Sequence, residues 1–242
     1  MATANYHALQ VKLEKSFSHG LTFLNSYTWS KSLDINSDAN AVPIEYTYNR
    51  SLSYGSSDYD LRHMNVTSFV CQFPFGRGRR FASGVSGIVD QFIGGWQTSG
   101  IVTIRSGLPF TVFSGVDSAN VGSRIAAQHA QIVAPAAPSG FTQTRGAWFN
   151  PAAFAIPTFG TLGDSSRNAF QGPSFNNVDF ALMKSFRLRE KLNFQFRSEF
   201  FNFFNFTNFG NPVSTVSAGP LFGQIFSSFP AREIQFALKL LW

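Results

Sequence analysis

Apolar and polar side chains alternate along the last stretch of the chain. The apolar positions are Ile234, Phe236, Leu238, Leu240 and Trp242. The polar positions between them are Glu233, Gln235 and Lys239. Because side chains of a strand point alternately to its two faces, this pattern predicts a strand with one face in an apolar medium and the other in water. The terminal aromatic favours a membrane β-barrel over a soluble β-sandwich, whose strands can alternate in the same way.

The alternation recurs along the chain and predicts an antiparallel, all-β fold. The seven predicted strands cover 5–17, 21–33, about 59–73, 96–106, about 176–186, 192–206 and about 223–242. Both faces of the third strand contain apolar residues, so its facing is left open. A further short strand is possible near 110–113, and Pro230 is placed at a bulge in the last strand.

The polar rows of the sixth and seventh strands are the candidate functional residues. They are Asn193, Gln195, Arg197, Glu199, Glu233, Gln235 and Lys239. In a water-filled barrel these side chains face the lumen, where they either line a permeation path and contact a plug or simply pair opposite charges between neighbouring strands. The sequence leaves both alternatives open.

The connections between the predicted strands alternate in length. Those at 18–20, 74–95 and 187–191 are short or basic, whereas those at 34–57, 107–174 and 207–221 are long and mostly polar. Bacterial outer-membrane barrels have short periplasmic turns and long outer loops. We therefore expect the three long loops to lie outside the cell.

Composition agrees with a membrane surface. Charged residues make up 13% of the chain and aromatic residues 16%, with 29 phenylalanines, which favours a surface that faces something other than water. No run approaches the roughly 18 consecutive apolar residues of a membrane-spanning helix, so a membrane crossing has to use strands. The N-terminus lacks the features of a signal peptide, which suggests a miscalled start or a boundary within a longer chain.

Motifs for catalysis, metal binding or cofactor binding are not found. His7, His19, His63 and His129 are far apart and have no metal-ligand spacing, and no carboxylate pair is placed for acid–base chemistry. The single Cys71 is interpreted as a packing residue. The basic cluster at 77–80 is interpreted as a solvated turn, so no nucleic-acid partner is expected.

Short phrases across nearly the whole chain resemble the C-terminal part of TonB-dependent outer-membrane receptors, and most closely their Oar-like branch with a carboxypeptidase-regulatory-like domain. These phrases are Ser26-Tyr-Thr-Trp-Ser-Lys-Ser32, Tyr59-Asp-Leu-Arg-His63, Pro74-Phe-Gly76, Gly94-Gly-Trp-Gln97, Ser106-Gly-Leu-Pro-Phe-Thr111, Trp148-Phe-Asn-Pro-Ala-Ala-Phe154, Arg167-Asn168, Gly172-Pro173 and Phe200-Phe-Asn-Phe-Phe-Asn-Phe-Thr-Asn-Phe-Gly-Asn-Pro212. Each phrase is short, and their order gives the resemblance its specificity.

The resemblance implies that residues 1–242 form about seven to eight strands of a barrel of about 22 strands, without the plug and N-terminal domains. It implies TonB-dependent uptake of a large nutrient such as an oligosaccharide, a chelate or a peptide. The implied partners are membrane lipid, the remainder of the barrel and the plug, with TonB itself bound only through the absent N-terminal parts. It also implies that the barrel-assembly machinery reads Phe236, Leu238, Leu240 and Trp242.

Two alternatives from other classes stay open at this point. The first is a self-contained or oligomeric outer-membrane pore or adhesin. The second is a secreted β domain that binds glycans through aromatic side chains.

Overall fold

The computed structural model describes residues 3–18, 20–37, 48–122, 128–187 and 192–241. The strands in this part of the chain are β1 Ala4–Ser18, β2 Leu21–Asp34, β3 Gly55–Ser56, β4 His63–Gln72, β5 Trp96–Arg105, β6 Pro109–Phe110, β7 Gln131–Ile132, β8 Phe154–Ala155, β9 Phe170–Gln171, β10 Phe175–Arg187, β11 Asn193–Phe201 and β12 Glu233–Leu241. The α-helix α1 covers Gly87–Ile93, and short 3-10 helices cover Arg50–Ser53, Pro151–Ala153 and Val216–Leu221.

The long strands form one antiparallel sheet in which each pairs with its neighbour along the chain. The order is β1-β2-β4-β5-β10-β11-β12, and β3 adds to the end of β2. These seven long strands confirm the all-β, antiparallel prediction and its count. Within the described residues, β1 and β12 are each paired on one side only, so the sheet has two open edges.

Several predicted strand bounds were wrong, for reasons of local backbone chemistry. β11 ends at Phe201 and not at 206, because Asn202 takes a left-handed conformation (φ 51°) that leaves the extended region. β12 begins at Glu233 and not near 223. Pro230, which lacks a backbone donor, precedes this strand instead of forming a bulge within it. The third long strand, β4, begins at His63 and not near 59.

The pairing register assigns every long strand two distinct faces. We call the face that carries Leu238 the apolar face and the face that carries Gln235 the polar face. Phe196 pairs with Leu238 and Glu199 with Gln235, so β11 follows the predicted facing. Opposed residues on neighbouring strands share a face, and following the pairs across the sheet places Phe69 and Cys71 of β4 on the apolar face. The register thus resolves the facing of the third strand, which the sequence left open.

The strand connections lie at two ends of the sheet. We call the end with residues 35–62, 106–174 and 202–232 the loop end, and the end with 19–20, 73–95 and 188–192 the turn end. The predicted alternation of short or basic connections with long ones is therefore present, but the basic connection 73–95 contains helix α1 and is nearly as long as 35–62. Of the predicted turns, His19 and residues 188–191 lie outside the described residues.

The hydrophobic core of the described residues lies in the loops and not in the sheet. The short pairs β6 with β9 and β7 with β8 order the connection 106–174. Around them pack Phe110, Val112, Ala130, Phe149, Ala153, Phe154 and Phe222, which we call the loop core. Burial of each large side chain stabilises this assembly by about 1.5–3 kcal/mol, so these loops form a folded layer.

Within the described ranges, no helix has both the length and the apolar character needed to cross a membrane.

Candidate functional site

The polar row is formed by Asn193, Gln195, Arg197 and Glu199 of β11 and Glu233, Gln235 and Lys239 of β12. The register places Gln195 opposite Lys239 and Glu199 opposite Gln235. The Gln235 Nε2 donates a hydrogen bond of 2.9 Å to Glu199 Oε2. Asn193 lies opposite Leu241, and Glu233 opposite Phe201, so these two lie at the two ends of the row. The sheet therefore places all seven predicted residues on one face.

Arg197 and Glu199 form an ion pair within this row. The Nη2–Oε1 distance is 2.5 Å, and the Arg197 side chain is 45% exposed. At that exposure an ion pair contributes about 0–1 kcal/mol, because water screens both charges. The charges of this pair remain accessible from the polar side of the sheet, so they can contact a solute or a protein segment there.

A shallow depression of about 370 Å³ lies beside this pair. Its lining includes Ile101 of β5, Asp179 and Ala181 of β10, and Arg197, Glu199 and Phe201 of β11. The carboxylates and the guanidinium lie next to apolar side chains, among them Ile101, Ala181 and Phe201. A surface with both characters can contact a polar ligand or a segment of folded protein.

The opposite face of β12 is apolar and exposed. Ile234, Phe236, Leu238 and Leu240 are between 48% and 68% exposed. At the other edge of the sheet, Leu9, Val11 and Leu13 of β1 share this face by register and are also exposed. Large exposed apolar side chains at both edges mark a surface that contacts something other than water. Trp242, the last residue of the predicted assembly signal, lies outside the described residues.

At the loop end, four residues from distant parts of the chain form a polar cluster, which we call the loop clasp: Asp34, Asp58, Arg167 and Asn168. The Arg167 Nη1 lies 2.5 Å from Asp34 Oδ1, and its Nη2 lies 2.9 Å from Asp58 Oδ1. The Asn168 Nδ2 donates to Asp58 Oδ1 at 2.6 Å. The Asp34 and Arg167 side chains are almost completely buried. The clasp thus joins the loop 106–174 to the end of β2.

Backbone contacts complete the clasp. Asn168 has a φ of 51°, and its backbone N–H donates to Thr111 Oγ1 at 2.8 Å. The Arg167 carbonyl oxygen lies so close to β3 that a Cβ on Gly55 would approach it to 2.3 Å. Only glycine leaves enough space for this contact.

A second ion pair lies beside the clasp. The Lys31 Nζ is 2.6 Å from Asp60 Oδ2, and Asp60 Oδ1 accepts the backbone N–H of Ser32 at 2.7 Å. Sequence reasoning identified the phrases that contain Lys31, Asp60 and Arg167 but not their contacts. The phrases were the only sequence signal that these residues matter. Their contacts become visible only in the fold, which brings the three residues to one end of the sheet.

A buried titratable group, His129, directly precedes Ala130 of the loop core. His129 is 5% exposed, and its ring lies 5.9 Å from the ring of Phe113. Burial and, to a smaller extent, the charge of Arg167 lower the pKa of His129, a hydrogen bond with the Ser165 backbone opposes both, and the resulting pKa is about 4. His129 is therefore neutral at neutral pH.

The turn end contains the other element that sequence reasoning missed, helix α1, which was expected to be part of a turn. Ser86 caps it by accepting the Val89 N–H, and the Asp90 carboxylate accepts the Arg77 N–H at 2.6 Å. The sequence did contain a signal for this helix: Ser86, a favoured N-cap residue, precedes Ile88 and Phe92, whose i, i+4 spacing is helical. On the polar side, α1 borders a depression of about 510 Å³ that includes Gln97, Ser185, Asn193 and Gln195.

Within the described residues, no three His, Cys, Asp or Glu side chains lie close enough to bind a metal ion. A family model described as "Outer membrane beta barrel domain" matches residues 1–235. A search of curated proteins finds no match to the chain.

Proposed function

Because the chain belongs to the outer membrane beta barrel domain family, we propose that it forms part of the wall of a TonB-dependent receptor that imports a large nutrient. Family membership places the protein in the outer membrane. The proposed nutrient is an oligosaccharide, a chelate or a peptide, as the ordered sequence phrases imply.

The observation that carries the proposal is the division of one continuous sheet into two faces. The apolar residues of β12 and β1 are exposed on one face, whereas Arg197, Glu199 and Gln235 are accessible on the other. A transport barrel needs this arrangement, because lipid contacts its outside and a water-filled lumen or a plug contacts its inside. In this proposal the depression beside Arg197 faces the plug or the nutrient.

The two open edges support a barrel that is larger than the described sheet. An unpaired strand edge in lipid leaves backbone N–H and C=O groups without partners, at a cost of several kcal/mol for each group. We propose that β1 and β12 pair with the remainder of a barrel of about 22 strands. The other proposed partners are membrane lipid, the plug, TonB through N-terminal segments, and the assembly machinery that reads Phe236, Leu238, Leu240 and Trp242.

The folded loops fit the same role. The loop core and the clasp hold the long connections as an ordered layer over one end of the sheet. A receptor that selects a large nutrient needs a defined outer surface, which ordered loops supply. We propose that the loop end faces outside the cell and the turn end faces the periplasm.

The open edges also support a second candidate, an oligomeric pore or adhesin. Copies of the chain can close a barrel if β1 of one copy pairs with β12 of the next. The secreted glycan-binding domain is not retained, because the family places the protein in the outer membrane.

Uptake by intact cells tests the proposal. The complete native gene is deleted, and uptake is measured with and without a protonophore. The probes are a fluorescent maltooligosaccharide, a ferric catecholate chelate and a fluorescent nonapeptide. The proposal expects the deletion to abolish protonophore-sensitive uptake of one of these probes. Loss of protonophore-insensitive entry of small solutes instead supports the pore, and unchanged entry of every probe overturns the transport function.

A further inference from the structure

At the turn end, helix α1 exposes apolar side chains. Ile88 is 77% exposed, Phe92 is 72% exposed, and Val89 is also exposed. No residue of α1 is buried. Ile88 and Phe92 are four positions apart and therefore lie on one side of the helix.

The other side of α1 faces the polar side of the sheet. Gly87, Asp90, Gln91 and Gly94 line the depression of about 510 Å³, together with polar-face residues such as Gln97 and Gln195. Asp90 lies opposite Ile88 and Phe92 on a helical wheel, and neither of these two apolar residues lines the depression, so the apolar side points away from the lumen.

Contacts with the apolar face of the sheet fix the C-terminal end of α1. The Trp96 Nε1 donates to the Phe92 carbonyl oxygen at 2.9 Å, and the Lys184 Nζ donates to the Gly94 carbonyl oxygen. The register pairs Trp96 with Lys184, and both lie on the apolar face. The Lys184 Nζ also lies 5.3 Å from the centroid of the Trp96 ring. A Trp and a Lys that extend toward the end of a lipid-facing strand are typical of the membrane interface.

Three exposed arginines precede α1, and they lie in different surroundings. Arg77 and Arg79 line the depression on the polar side, whereas Arg80 does not, and its guanidinium lies 5.4 Å from the centroid of the exposed Phe81 ring. Basic side chains beside an exposed apolar helix face are the combination that binds anionic headgroups and the underlying acyl chains.

We propose that α1 and residues 80–81 bind the phospholipid leaflet at the turn end of the sheet, with Ile88 and Phe92 at the acyl boundary and Arg80 on a headgroup phosphate. This inference rests on the proposed function, because it requires the apolar face to contact lipid. The segment then fixes the depth of the barrel wall in the membrane.

Site-directed spin labelling of the full-length protein in phosphatidylethanolamine–phosphatidylglycerol liposomes tests the proposal. On a Cys71→Ser background, labels are placed at Ile88→Cys, Phe92→Cys and Gln91→Cys, with Leu238→Cys as the reference for lipid contact. We expect labels at 88 and 92 to collide severalfold more with dissolved oxygen than with a water-soluble nickel complex, relative to the label at 91. The expected depth is about 5–10 Å below the headgroups.

The label at 238 and the labels at 88 and 92 together distinguish a failure of this inference from a failure of the proposed function. A lipid-exposed label at 238 together with nickel-accessible labels at 88 and 92 overturns this inference and leaves the proposed function intact. A nickel-accessible label at 238 overturns the assigned facing itself. Labels at 88 and 92 that are immobilised in native membranes but water-exposed in liposomes identify a protein partner, and this result also overturns the inference.

Charge provides a second measurement. The variant Arg80→Gln should remove the difference in label depth between liposomes with and without phosphatidylglycerol. Arg50→Gln, an exposed arginine at the loop end, is the control and should leave that difference unchanged. A phosphatidylglycerol effect that survives Arg80→Gln overturns the proposed role of this arginine.

Discussion

Arg167 and Asp34 are 133 positions apart in the chain, yet the guanidinium Nη1 lies 2.5 Å from the carboxylate Oδ1. The same nitrogen donates to the backbone carbonyl of Asp34 at 3.0 Å. The contact joins the longest loop to the last residue of β2. It makes the loop layer and the sheet one connected structure at the loop end.

Removal of this guanidinium should release the loop from the sheet. Arg167→Met leaves the buried Asp34 carboxylate without its cation, a change that typically costs about 3–5 kcal/mol. We expect faster amide hydrogen exchange at Ser37 and at Asn168, measured by mass spectrometry on the membrane-inserted protein. Arg197→Met removes a half-exposed ion pair and should cost below about 1 kcal/mol.

Gly55→Ala tests the clasp without a change of charge. A Cβ at this position would lie 2.3 Å from the Arg167 carbonyl oxygen, so either β3 or the loop has to move. The variant should increase exchange at the same amides as Arg167→Met. Gly84→Ala is the matched control, because a Cβ there meets no atom within 4 Å. Unchanged exchange in Gly55→Ala contradicts the close approach that defines the clasp.

The two faces of β12 should respond oppositely to a charge. Leu238→Arg places a cation on the apolar face and should reduce folding into membranes by about 2–4 kcal/mol. Gln235→Arg places the same side chain on the polar face beside Glu199 and should have little effect. The heat-modifiable folded fraction in outer membranes measures both variants. Equal losses contradict the assigned facing.

The sequence predicted the sheet well because strand facing is a local property. In β11, Phe194 and Phe196 alternate with Gln195 and Arg197, and period two is visible in neighbouring residues. The end of β11 was harder to predict, because it depends on Asn202. The Asn202 side chain accepts the Phe206 N–H and donates to the Phe206 carbonyl oxygen. This local turn replaces the strand-to-strand hydrogen bonds that would continue β11.

The loop clasp and the loop core could not be predicted, because their contacts join residues that are far apart in the chain, more than 100 positions apart in the ion pairs of the clasp. Arg167 and Asn168 stood out as a phrase, but nothing near them in sequence indicated Asp34 or Asp58 as partners. Phe149 was assigned to the connection 107–174, and Phe222 fell between the predicted loop 207–221 and the predicted last strand, although their rings lie 5.0 Å apart. Long-range packing of this kind has no periodic signature in the sequence.

The orientation of the barrel wall predicts which cysteines react in intact cells. Phe159 lies in the loop layer and is 78% exposed, whereas Arg79 is exposed in the connection at the turn end. On a Cys71→Ser background, Phe159→Cys should react with a membrane-impermeant maleimide in intact cells and Arg79→Cys should not. Both should react after permeabilisation. The reverse pattern in intact cells places the loop end in the periplasm.

The buried His129 predicts an acid sensitivity of the loop core. Its pKa in the folded protein is about 4, below the ordinary value of 6.5, because burial and the charge of Arg167 disfavour the protonated ring. Above pH 6.5 the ring is neutral in both folded and unfolded loops, so His129 contributes its full stability there. As the pH falls from 6.5 toward 4, the unfolded loop takes up a proton more readily than the folded one, and stability is lost. The loss over this window should be about 3 kcal/mol, since each pKa unit corresponds to about 1.4 kcal/mol.

His129→Gln isolates this effect, because the amide does not titrate. Amide exchange at Ala130, whose N–H donates to the Val112 carbonyl oxygen at 3.0 Å, should become faster in the parent protein as the pH falls through this window, after correction for the intrinsic exchange rate. The substitution itself can lower stability at every pH, so the informative quantity is the slope of stability against pH and not its absolute value. We expect the slope between pH 6.5 and about 4 to be much smaller in His129→Gln than in the parent. An equal slope in both proteins assigns the acid sensitivity to other groups and contradicts the role of His129.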